Sequence, residues 1–132
     1  MKPLKLVSVA VILMLISSCA TKMQFPVSSI APAADIVLTK KLDKNNNYGI
    51  TLTAKNLAAV DRLAPNKSTY VLWIITTTGE TKNAGQLNVK NASKATLKTI
   101  TSFDFNEAFI TAEEKGDVLY PAGMEITRVS PF

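Results

Sequence analysis

The chain has no histidine and a single cysteine among its 132 residues. Without an imidazole there can be no Ser-His-Asp or Cys-His arrangement, and the usual zinc sets are removed as well. One thiol cannot close an intramolecular disulfide, so the domain must be held by its apolar core alone. Aromatic residues are sparse, with one Trp, three Tyr and five Phe. The basic residues are scattered, and Lys40-Lys41, the one adjacent pair, is followed closely by Asp43. No arginine-rich stripe or basic–aromatic alternation points to nucleic acid. Carboxylates are no more suggestive: Glu113 and Glu114 are neighbours that a strand would send to opposite faces. Asp104, Glu107 and Asp117 show no spacing that would assemble a site. The expectation is a non-enzymatic protein with no cofactor, no metal and no catalytic residue.

The first eighteen residues divide into a short basic end (Lys2, Lys5), an apolar run from Leu6 to Ile16 interrupted by Ser8, and the small residues Ser17 and Ser18. That is the layout of a secretory signal peptide. Eleven helical residues span only about 16 Å, too short to cross a bilayer. Ile16-Ser17-Ser18-Cys19 resembles the bacterial lipobox. The resemblance implies cleavage before Cys19, a diacylglyceryl group on its sulfur, and acylation of the new amino group. Two or three acyl chains hold a protein at a membrane where one would not. Ala20 rather than Asp follows the cysteine, which directs the expectation to an outer-membrane lipoprotein of the cell envelope, periplasmic or surface facing.

Removing residues 1–18 leaves 114 residues, one domain's worth. Lys2 and Lys5 leave with them, so thirteen bases face ten acids, a side-chain charge of +3. Residues 19–34, with Pro26, Pro32 and many small side chains, lack a sustained period and are expected to form a flexible tether. From Asp35 onward the apolar residues come in short runs bounded by turn residues. Strands are expected near 35–42, 48–55, 69–77, 83–89, 94–102, 106–113 and 123–130, with a single helical turn before Pro65. "DKNNNYG" places Asp43, Asn45 and Asn47 at alternate positions, but Tyr48 and Ala54 stand where a calcium loop needs Gly and Glu. It is expected to be a polar turn. Seven short strands over residues 35–132 favour an all-β, immunoglobulin-like sandwich.

In "TYVLWIITT" both alternating sets are apolar: Tyr70, Leu72 and Ile74 on one side, Val71, Trp73 and Ile75 on the other. Such a strand is central and covered on both faces, or else leaves an apolar patch. Both readings stay open, and Tyr70, Val71, Trp73 and Ile75 are the candidate interaction patch.

"PNKSTYVLWIITTTGETKNAGQL" resembles the extracytoplasmic C-terminal domain of anti-sigma-K factors through Tyr70, Trp73, Gly79 and Gly85. "AFITAEEKGDVLYPAGMEITR" is similar to that family's later segment through Glu113, Gly116, Pro121 and Gly123. The resemblance covers roughly residues 48–130 and implies a sandwich. In that family a cytoplasmic sigma-binding domain and a transmembrane helix precede the sandwich; here a lipobox stands in their place. What the resemblance then implies is a sensing or scaffolding module in the envelope. The expected partners are the membrane, through the lipid, and an envelope protein. The alternative is a small-molecule or glycan binder using Tyr48, Tyr70, Trp73 and Tyr120, which requires a concave aromatic site.

Overall fold

The alternation of Ile36, Leu38, Ile50 and Leu52 with threonine and lysine dictates strands with one dry face. The computed structural model describes residues 20–131; the stretch expected as a signal peptide, Cys19 and Phe132 lie outside the described residues. Nine strands and one helical turn follow in order. They are β1 (Ala20–Gln24), β2 (Asp35–Leu42), β3 (Tyr48–Lys55), α1 (Val60–Leu63), β4 (Thr69–Thr76), β5 (Thr81–Gln86), β6 (Asn88–Asn91), β7 (Lys94–Thr101), β8 (Phe105–Glu113) and β9 (Met124–Val129). They build two antiparallel sheets, β1-β2-β3-β7-β6 (sheet A) and β5-β4-β8-β9 (sheet B), packed as a sandwich.

Between the sheets lies one core. Leu38, Leu52 and Leu97 are in register across sheet A and face Leu72, Ile74 and Ile110 of sheet B. The 43–47 segment turns as expected: Asp43 Oδ1 accepts the amides of Asn45 and Asn47, and Asn46 takes a positive φ. α1 is the single turn before Pro65.

Three expectations are corrected. Residues 20–34 are not a tether. β1 pairs with β2, Met23, Phe25 and Ala31 are buried, and Ser28 Oγ donates to Ile126 O, 98 residues away. Pro26 ends β1 without ending order, because Thr127 Oγ1 donates to its carbonyl at 3.0 Å. The folded body therefore includes residues 20–34 and does not start at residue 35. The segment expected as one strand over 83–89 is two strands in different sheets. The chain crosses from β5 to β6 at the buried Leu87, whose amide donates to Tyr70 O. Gly85 allows the crossing: its φ is +137°, and a Cβ there would stand 3.2 Å from Leu97 Cδ1. With β1 and this division the described residues form nine strands, where about seven were expected.

Candidate interaction surfaces

The third correction concerns the patch. Tyr70 is 3% exposed, Val71 and Trp73 are 0%, and only Ile75 is partly accessible. Tyr70 faces the core and donates its hydroxyl to Ala58 O at 2.7 Å. Burial, reinforced by Asp61, pushes its pKa up to about 12. Val71, Trp73 and Phe109 form a second apolar cluster on the outer face of sheet B, with Ile75 and Val118 packed against it. Val118 belongs to the loop between β8 and β9, which folds back over the sheet. The side-chain amide of Asn83 holds it there by donating to the carbonyls of Gly116 and Val118. A loop thus covers the second face of β4, and no patch is left at Trp73.

A buried polar chain fastens that loop. Trp73 Nε1 donates to Thr111 Oγ1 at 2.8 Å, and the same hydroxyl donates to Glu113 Oε2 at 2.5 Å. The Glu113 carboxylate, 1% exposed, also accepts the amide of Gly123 at 3.1 Å and that of Ala122 at 3.3 Å. Gly123 passes so close to β8 that a Cβ would stand 1.5 Å from Ala112 O. Trp73, Glu113 and Gly123, three of the positions quoted for the anti-sigma resemblance, are therefore one connected structural unit. Every donor and acceptor in it is used within the chain, so Glu113 has structural work and Glu114, exposed, points away from it.

The four Tyr and Trp residues do not converge. Tyr70 and Trp73 belong to separate buried clusters. Tyr48 is half-buried beneath the Lys40 ammonium, 4.8 Å from its ring centroid. Tyr120 alone is open to solvent, where with Leu119, Phe103 and Ile100 it borders a groove of about 480 Å³ beside β5 and β7. Lys40 also meets Asp104, and that hydrogen bond holds the carboxyl of Asp104 below its ordinary value. Among the described residues, no group of three or more His, Cys, Asp or Glu side chains could hold a metal ion, and no helix is long and apolar enough to cross a membrane.

The most distinctive surface is the outer face of sheet A, which sequence reasoning did not assemble. Because Leu38, Leu52 and Leu97 face inward, the residues on either side of each face outward. One outward row runs Lys22, Thr39, Thr51, Lys98; another runs Asp35, Lys55, Lys94. Lys41 stands between Ala20 and Gly49 in a third row, which ends at Ile100. Five exposed lysines (22, 41, 55, 94 and 98) thus share a face with one acid, Asp35, which accepts from Gln24 Nε2. Eight bases and nine acids remain for the rest of the described chain, so this face carries all of the net positive charge. Among the described residues the ion pairs lie elsewhere, on Lys40, Lys67, Lys82 and Arg128. Lysines 55 and 94 are directly opposite each other across the ladder, an arrangement that costs stability. Strand by strand the signal was visible as Thr/Lys alternation; its union into one face depends on register. No family model, no curated protein and no solved structure matches this chain.

Proposed function

We propose that the protein is a lipid-anchored component of the bacterial cell envelope. On this reading it is held at the outer membrane through acylated Cys19, and its immunoglobulin-like sandwich is a non-enzymatic interaction module working through the outer face of sheet A. One observation carries the reading: the stretch Ile16-Ser17-Ser18-Cys19 resembles a lipobox, and the residue after its cysteine, Ala20, already pairs with β2. Acyl chains on that sulfur would bring the body to the membrane with no intervening spacer. The resemblance to the anti-sigma-K extracytoplasmic domain fits a scaffolding or sensing role. A role without catalysis agrees with the buried carboxylate of Glu113 being consumed by loop fastening. Mass spectrometry of the native product tests this. The expected species starts at Cys19 and carries the diacylglyceryl and amide-linked chains; an unmodified thiol or an intact leader overturns the reading.

The exposed Tyr120 and Phe103 beside the 480 Å³ groove favour a second reading, a small-molecule or glycan site there. Saccharide titrations that shift the NMR signals of Phe103 and Tyr120 would support it. Unchanged signals at millimolar sugar would dismiss it.

A further inference from the structure

We infer that the lysine–threonine face of sheet A rests on anionic lipid headgroups, so that the sandwich lies with this sheet against the bilayer to which it is anchored. The inference rests on the anchored reading above and adds the partner and the orientation.

Three observations select a bilayer as the occupant. First, the outward row that ends at Ile100 begins at Ala20, the residue joined to Cys19, so the face and the attachment point adjoin. Second, the charge is complementary and unspent. Five exposed lysines occupy a sheet of five strands whose lateral spacing makes it roughly 20 Å wide and about 26 Å long. The single acid on it is already engaged by Gln24. An anionic surface laid on this face also offsets the repulsion between the opposed Lys55 and Lys94. Third, a large apolar side chain, Ile100 at 67%, is exposed on this face, at the other end of the row that starts at Ala20. A hydrated polyanion would leave it wet, whereas the headgroup–acyl boundary buries such a side chain while lysines reach for phosphate.

The experiment uses the full acylated protein reconstituted in vesicles. With Cys19 acylated, an engineered cysteine is the one free thiol, so Thr53→Cys on the face and Glu125→Cys on the exposed side of sheet B each take a single fluorescent label. In vesicles containing phosphatidylglycerol, the label at 53 should be shielded from a water-soluble quencher at least about fivefold more than that at 125, the worth of about one surface lysine. The shielding should vanish in pure phosphatidylcholine, near 1 M salt, and in the Lys22→Glu/Lys98→Glu variant, while the protein stays on the vesicle. Equal quenching of both labels on acylated, vesicle-bound protein overturns the orientation and leaves the anchor standing. Shielding of position 53 by soluble polyphosphate, undiminished on neutral vesicles, would reassign the face to a free polyanion and overturn it too. An unacylated product overturns both readings.

Discussion

Replacing Thr111 by valine removes one hydroxyl and keeps the shape of the side chain, so no cavity contributes to the outcome. The hydroxyl has two roles: it accepts from the Trp73 indole and donates to the Glu113 carboxylate. Without it the indole N–H, on a side chain with no solvent exposure, is left unpaired, at a cost of about 1–3 kcal/mol. Glu113 keeps the amides of Ala122 and Gly123 but loses its third donor, a charge-assisted bond worth roughly 1.5–3 kcal/mol. Allowing for relaxation, the combined loss should be about 3 kcal/mol. For a domain of this size that lowers Tm by on the order of 12 °C. Urea unfolding followed by far-UV circular dichroism measures it directly. Two companions isolate the cause. Thr111→Ser keeps the hydroxyl and should stay within about 1 kcal/mol of wild type. In a Trp73→Phe background no indole waits for an acceptor, so Thr111→Val should cost about 1–2 kcal/mol less than in the wild type. A loss below about 0.5 kcal/mol, or the same loss in both backgrounds, would refute the idea that this hydroxyl joins the tryptophan strand to the covering loop.

Three further outcomes are expected. Gly123→Ala drives a Cβ into the Ala112 carbonyl and should cost about 3 kcal/mol, the upper end for overpacking because a backbone group cannot step aside, with a red shift of Trp73 emission as the loop lifts. Tyr70 ionises near pH 12 in the folded protein against 10.0 for an ordinary tyrosine, so its contribution to stability is full below pH 10 and is lost as the pH rises towards 12; an absorbance titration should show one late-ionising phenol, absent in Tyr70→Phe. The carboxyl of Asp104 is held low chiefly by its hydrogen bond from Lys40, so the stability it supplies is present above the ordinary carboxylate value of 3.8 and disappears as the pH falls through the lower folded value. Carbon-13 titration should place its midpoint below 3.8 and return it upward in Lys40→Met; an unmoved midpoint would remove the link.

Much of the strand order was legible because the period was local. Ile50, Thr51, Leu52 and Thr53 announce a half-wet strand by themselves, and Asp43 with three asparagines announces its turn. What escaped depended on distant partners. β1 has one buried residue, Met23, too few for a pattern, and the order of residues 25–34 comes from Ser28 and Pro26 meeting β9 about a hundred residues away. The two apolar sides of β4 left cover and an open patch both possible, and the sequence could not decide between them, since the covering residue, Val118, lies in a stretch without periodicity. The division between β5 and β6 hides behind Gly85, which sequence alone marks as a break and not as a change of sheet. The lysine face fell between these cases: each lysine was in an expected strand, but only pairing placed five of them side by side.

The position of β1 also decides how the body answers to load. Tension applied at residue 19 enters the structure at a strand that, among the described residues, is outermost and held on one flank only, by β2. Drawn along its length, its five residues share the strain in parallel; peeled sideways, their bonds to β2 yield one after another. Met23 and Phe25 would be the first core side chains to leave, opening the sandwich at the rim where force arrives.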